Sequence, residues 1–297
     1  MKAAMSSIVA QTRLEVAPVV PVASPPVRAF RPFPQDAVDV VCVEESAGRV
    51  SPRMHNRLAL VLLRLPAIVR LESSRSIVAD RNWILVIPPR HLYALRAPSG
   101  AFRGSQASHV TLQVGPSHLE ALASARRPAL VSDAHVGDQL ANLITQFQRH
   151  LRLADYDASI QPLIERIEAQ SSPIGVARSG LALDTLVAVR EYIRTHVDEQ
   201  ISTQALSRYS GLTESHLIRA FHQEFGLPPH AYHVQLRLAQ ACELLGTGLP
   251  VSSVAYECGF ADQSHLSRKF KATYGLTPAA WANAVGARDH VEPYSSR

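Results

Sequence analysis

The sequence predicts an α+β protein with a β-rich first half and an all-helical second half. Three observations carry this reading. Residues 36–115 hold short apolar runs separated by turn residues. From residue 117 onward apolar residues recur at steps of three and four. Within the helical half, a segment of about fifty residues occurs twice.

Residues 1–35 carry Pro18, Pro21, Pro25, Pro26, Pro32 and Pro34, a density that opposes helix and central strand, so a flexible arm is expected. The runs Val38–Val43, Leu58–Leu65, Ile68–Leu71, Trp83–Ile87, His91–Leu95 and His109–Val114 read as strands of a small barrel or sandwich. Leu140, Leu143, Ile144, Phe147 and Leu151, then Leu163, Ile164 and Ile167, mark amphipathic helices. These helices carry more apolar positions than one packed face requires, which suggests a second, intermolecular face. Residues 36–170 are therefore taken as one domain and 171–182, rich in Ser, Pro and Gly, as a linker. Residues 183–285 form a second domain and 286–297 a tail. In the second domain, helices are expected over 203–210, 214–225, 229–245, 251–258 and 263–274, each stopped at or near a glycine, with Pro278 opening a last one.

The repeat is specific. Ser215-His216-Leu217-x-Arg219-x-Phe221 recurs as Ser264-His265-Leu266-x-Arg268-x-Phe270, an offset of 49 that also maps Gly226 to Gly275, Pro229 to Pro278 and Tyr232 to Trp281. Each copy has a short helix, a glycine turn (Gly211, Gly259), an apolar corner residue (Leu212, Phe260) and an N-cap (Thr213, Asp262). Leu217, Phe221 and Phe225 form one buried stripe in the following helix; Leu266, Phe270 and Tyr274 form its equivalent. The opposite face stays polar. A helix with a polar N-terminal face outward is what a helix-turn-helix inserts into the DNA major groove. Candidate DNA-binding residues are Ser215, Ile218, Arg219 and His222 in the first copy, and Gln263, Ser264, Ser267, Arg268, Lys269 and Lys271 in the second. A plain bundle with solvated faces is the alternative, and a cap, turn and polar face repeated together weigh against it.

The stretch Ala255-x-x-x-Gly259-Phe260-x-Asp262-x-Ser264-x-Leu266-x-Arg268-x-Phe270-Lys271-x-x-x-Gly275-x-Thr277-Pro278-x-x-Trp281, with Arg237-Leu238-x-x-Ala241-x-x-Leu244-Leu245 before it, resembles the DNA-binding domain of the AraC/XylS family. The departures are His265, where the family often has Tyr or Phe, and Ala282, where it usually has Arg. The resemblance implies a cupin-like β-barrel with dimerising helices ahead of the two helix-turn-helix units. It also implies a homodimer, double-stranded DNA and RNA polymerase as partners, and control by a small-molecule effector, with activation favoured over repression. Ile87-Pro88-Pro89-x-His91 is similar to a turn of such barrels. His55, Arg57, Trp83, His91 and Tyr93 are candidate effector-binding residues, with ordinary barrel packing as the alternative.

Charge does not by itself point to DNA in the helical half. Residues 1–182 hold 20 Lys+Arg against 14 Asp+Glu, a surplus of six; residues 183–297 hold 10 against 11. The basic cluster Arg268-Lys269–Lys271 is local. His55 has Arg57, not a second histidine, two positions on, so no metal is expected, and no cofactor. Nucleophile elbow and phosphate loop are lacking, which argues against an enzyme. Two alternatives are an effector-independent architectural DNA binder and a cupin-type enzyme fused to a DNA-binding module. The widely spaced Cys42, Cys242 and Cys258 fit buried thiols, and the longest apolar run, from Leu58 to Val69, is cut by Arg64 and Pro66, so a cytoplasmic location is expected. The helix from Pro229 to Leu245, about 17 residues and roughly 25 Å long, is a rigid spacer between units. One monomer is then expected to protect two adjacent major-groove segments about 34 Å apart. A DNase footprint covering one segment per monomer would contradict this.

Overall fold

The computed structural model describes residues 27–31, 40–47, 49–72, 76–98, 107–114, 127–148, 153–174 and 181–286. Most of the proposed arm, part of the linker (175–180), the tail beyond 286, Val38 and Leu151 lie outside the described residues.

Eleven strands and nine helices are present among the described residues. The strands are β1 Arg28–Phe30, β2 Val40–Ala47, β3 Arg49–Arg53, β4 Leu58–Leu63, β5 Ala67–Leu71, β6 Ile77–Ala79, β7 Ile84–Ile87, β8 Tyr93–Arg96, β9 Ala107–Val114, β10 Ala129–Val131 and β11 Ser172–Pro173. One antiparallel sheet runs β1-β2-β9-β4-β7-β10-β11 and the other β3-β8-β5-β6. They face each other as an open, barrel-like sandwich. β4 shows why the sequence allows this: all six of its residues are buried, because both faces are covered. Ala59, Val61 and Leu63 meet Val69, Leu71 and Leu95 of the second sheet. Leu58, Leu60 and Leu62 point the other way, into helices α1 (Ala134–Gln148) and α2 (Leu153–Gln170). α1 sits close: a Cβ on Gly137 would lie 1.7 Å from the Asn82 carbonyl oxygen.

That packing accounts for the apolar positions of the two helices. Val136, Leu140, Leu143, Ile144 and Phe147 of α1, and Ile160, Leu163, Ile164 and Ile167 of α2, are all spent on the sheet. Gln139, Asn142, Gln146, Ser159 and Arg166 line the outer groove between the helices together with Leu143, Ala158, Pro162 and Leu163. These apolar positions serve a two-helix layer on one sheet. Two differences concern segments read as irregular. Arg28–Phe30, a proline-free interval in the arm, pairs with β2, and Ser172–Pro173, in the proposed linker, pairs with β10. Both are edge strands, the position where neighbouring prolines cost no ladder hydrogen bond.

The helical half follows as α3 Leu181–Thr195, α4 Thr203–Ser210, α5 Glu214–Phe225, α6 Pro229–Gly246, α7 Val251–Glu257, α8 Gln263–Tyr274 and α9 Pro278–Val285. None of the described helices is long and apolar enough to cross a membrane. The halves share cores. Met54 and Leu92 join Leu186, Leu217, Phe221 and Phe225, while Ala29, Val41 and Val43 join Leu266, Phe270 and Trp281.

His55 and His109 are buried near this junction, and desolvation, reinforced by the charge of Arg53, pushes the pKa of each down to about 3. The folded form stays neutral where the unfolded chain takes up protons. Stability from these residues is thus complete above the unfolded value of about 6.5 and is lost as pH falls toward 3, at about 1.4 kcal/mol per residue per pH unit. The urea midpoint should fall between pH 7 and pH 5, and His109→Gln should flatten that slope. An unchanged slope in the variant would contradict neutral burial of His109.

Candidate nucleic-acid interface

Each helix-turn-helix is built from caps inward. The Ser202 hydroxyl accepts from Ala205 N–H and opens α4, which Gly211 closes at φ 70°. Thr213 Oγ1 accepts from His216 N–H at the start of α5, and an Asp262 carboxylate oxygen accepts from His265 N–H at the start of α8, 2.6 Å away. These side chains satisfy donors that the first turn leaves unpaired. Gly226 and Gly275 end α5 and α8 at φ 83° and 75°, a region open to glycine and costly for other residues. The buried stripes are as the spacing demands: Leu217, Phe221 and Phe225 in α5, and Leu266, Phe270 and Tyr274 in α8.

The candidate DNA-binding residues take the opposite side. Ser215, Ile218, Arg219 and His222 are exposed on α5. On α8, Gln263, Ser264, Arg268, Lys269 and Lys271 are exposed and Ser267 is half-buried. Gln263, Ser267 and Lys271 succeed one another at steps of four, with Ser264 and Arg268 beside them, so they share a face; Lys269 lies on its flank. Arg219 Nε donates to the Ser215 carbonyl on its own helix. Among the described residues, no acidic side chain pairs with Arg268 or Lys271. The ring of His265, where an aromatic was expected, packs edge-on against Phe260 with centroids 5.5 Å apart. Ala282 is half-buried against the core of the second unit, and its methyl side chain carries no donor.

The two units are held together by α6. Its Arg237, 6% exposed, donates to the carbonyls of Val197, Glu199 and Gly259. The sequence comparison of repeats gave no hint of this role, because Arg237 lies in the connector rather than in either copy. Trp281 Nε1–H donates to the Cys242 carbonyl and fixes α9 on the same helix.

The candidate effector residues scatter. His55 Nε2 and the Tyr93 hydroxyl are 3.0 Å apart and buried. Arg57 instead turns to α6, where its Nε donates to both Glu243 carboxylate oxygens at 2.8 and 2.7 Å. Trp83 packs at the margin of the inter-sheet core. His91 stands in the loop before β8, its Nδ1 3.1 Å from the Pro89 carbonyl. Sequence reasoning missed His109, Thr111 and Gln113, which alternate with core residues Val110 and Leu112 and are buried. The alternation itself was legible; burial of its polar face was not, since an exposed face gives the same pattern.

Two tandem helix-turn-helix units, each with a capped helix showing a polar face, define a DNA-binding domain. Residues 206–284 match the family model described as a helix-turn-helix domain. Residues 206–284 are similar to the DNA-binding domains of AraC-type transcription regulators. The chain is 28% identical over 150 residues to the probable transcriptional regulator LumQ of Photobacterium leiognathi, covering 50% of this chain and 60% of that protein. It is also 28% identical over 147 residues to the HTH-type transcriptional activator RhaS of Enterobacter sp. (strain 638), covering 47% and 52%. The matched stretch thus spans little more than half the length of these relatives. Among solved structures, ToxT from Vibrio cholerae O395 is similar at TM-score 0.47 and 12% identity, over 83% of this chain and 98% of that one.

Arginine can donate two hydrogen bonds to guanine, a contact worth about 1–3 kcal/mol of discrimination, whereas lysine on a phosphate adds affinity without sequence information. Arg268→Ala should weaken the preferred site far more than random DNA. Lys271→Ala should weaken both alike and lower the salt dependence by about one counterion. Titrations on both DNAs across a salt series check this; equal losses on the two DNAs for Arg268→Ala would refute base reading.

Proposed function

We propose that this chain is a cytoplasmic, sequence-specific transcription regulator of double-stranded DNA, without enzymatic activity, acting as an activator under control of a small-molecule effector. The observation that carries the reading is the paired set of exposed polar faces on α5 and α8, each backed by a buried stripe and a side-chain cap. In this reading Ser215, Ile218, Arg219 and His222 approach one major-groove segment. Gln263, Ser264, Ser267 and Arg268 approach the next, with Lys269 and Lys271 on phosphates. Two relatives named as regulators, one of them an activator, support the assignment. Contact with RNA polymerase and a homodimeric state follow from the family resemblance, the latter through residues 36–170. The effector site is placed in this reading at His55 and Tyr93, the two candidate residues that meet; Arg57, Trp83 and His91 lie apart from that pair.

The test is selection of bound DNA from a random pool with the full chain, repeated with metabolite extract present. Enrichment of a two-segment site, with affinity altered by extract, is expected. Recovery of unenriched DNA would refute sequence-specific regulation, and an affinity indifferent to every extract would favour an architectural DNA binder.

A further inference from the structure

The 49-residue repeat makes Phe225-Gly226 and Tyr274-Gly275 equivalent ends of α5 and α8, opposite their polar N-terminal ends. Both ends are held by the N-terminal half. At the end of α5, Leu92 shares the core of Phe225, and its Cδ2 would lie 3.6 Å from a Cβ placed on Gly226. Arg190 of α3 lies 5.1 Å over the Phe225 ring and pairs with Glu72 at 3.5 Å. Glu72 also accepts from Leu92 N–H at 2.8 Å, and Arg194 donates to the Arg90 carbonyl at 2.6 Å.

At the end of α8, Arg53 Nη2 donates to the Thr273 carbonyl at 2.8 Å, and its guanidinium lies 5.7 Å over the Tyr274 ring. The Tyr274 hydroxyl donates to the Met54 carbonyl at 3.3 Å. Thr273 is in the last turn, where carbonyls lack intrahelical partners and a cation meets the negative end of the helix dipole. Arg53 thus caps α8 from the other half of the molecule. Met54 joins the two grips: its side chain lies in the core of the first unit while its carbonyl holds the second. Between them, Arg57 ties the chain just beyond β3 to Glu243 on the spacer α6.

We propose that the N-terminal half is a two-point splint that sets the separation and angle of α5 and α8, and so the spacing of the two DNA segments the chain accepts. Arg53 and Glu72 are positioning residues in this scheme, remote from the polar faces. A helix spacer with short joints leaves each unit room to rock, and gripping the equivalent end of both units removes that freedom. The inference rests on the proposed DNA-reading function and adds to it a source of spacing specificity outside the DNA-binding domain.

The experiment uses the full chain and the DNA it selects, alongside the same DNA with one base pair inserted between the two segments. That insertion shifts one segment by about 3.4 Å and rotates it by about 35°. Wild-type protein should lose about tenfold or more in affinity, the loss of about one bidentate base contact. In the Arg53→Ala/Glu72→Gln double variant, the ratio of affinities for the two DNAs should fall well below the wild-type value while the unmodified site is still bound. Arg53→Lys, which keeps the charge but not the planar fork, gives the same ratio a second reading if the double variant does not fold. Arg57→Glu should also lower the ratio, and adding Glu243→Arg should restore it. Variants that bind with the wild-type ratio, or a wild type indifferent to the insertion, overturn the splint. A wild type without any sequence preference overturns the DNA-reading function instead.

Discussion

A guanidinium cannot be buried without acceptors, and Arg237 turns that requirement into architecture. Its donors reach carbonyls of the turn after α3, at Val197 and Glu199, and of the turn of the second unit, at Gly259. Two of these carbonyls have a second partner, His233 Nε2 at 2.7 Å from Val197 and Gln200 Nε2 donating to Gly259 at 3.1 Å, so the guanidinium is the centre of a shared network. Gly259 is bound into the same arrangement, since a Cβ there would lie 2.7 Å from an Arg237 nitrogen and 2.8 Å from the Asp198 carbonyl oxygen. The spacer helix is thereby tied to the turn after α3 and to the turn of the second unit.

The second constraint is the shared core between halves. A β-sandwich that had to bury only its own apolar residues would show a polar outer face near β1–β3. Here Ala29, Val41 and Val43 instead complete the core of the second unit, and Met54 and Leu92 that of the first. Polar contacts rim these patches: Arg57 with Glu243, and Glu72 with Arg190 and Arg194. Burial raises the Glu72 pKa, and the two arginines act against that rise. Ion pairs of this kind add little net stability but fix register, because one partner left alone would be costly to bury.

The helical half was legible because its signals are local. A cap residue, a glycine at a left-handed end and an apolar residue every three or four positions each act within one turn of helix. The bounds of α4, α5 and α8 accordingly follow the sequence. In the β half, signals were weaker. β3, Arg49–Arg53, carries two arginines and a proline and gives no alternating pattern, yet it holds the junction. Its strand character comes from pairing with β8 across a register shift, which no single segment encodes. Glu72 and Glu243 drew no notice for the same reason: an isolated acidic residue in sequence shows nothing of the arginine that will meet it.

By itself, the sequence determined the duplicated helix-turn-helix, its caps and buried stripes, and which faces of α5 and α8 stay polar, since periodicity and short-range hydrogen bonding decide all of these. Tertiary structure alone decided that the apolar positions of α1 and α2 pack on one sheet. It alone decided that Arg57 faces the spacer helix, and that Arg53 caps a helix 220 residues away. The physical reason is that burial and ion pairing depend on which surfaces meet, and long-range meeting is set by the packing of whole elements rather than by neighbours along the chain.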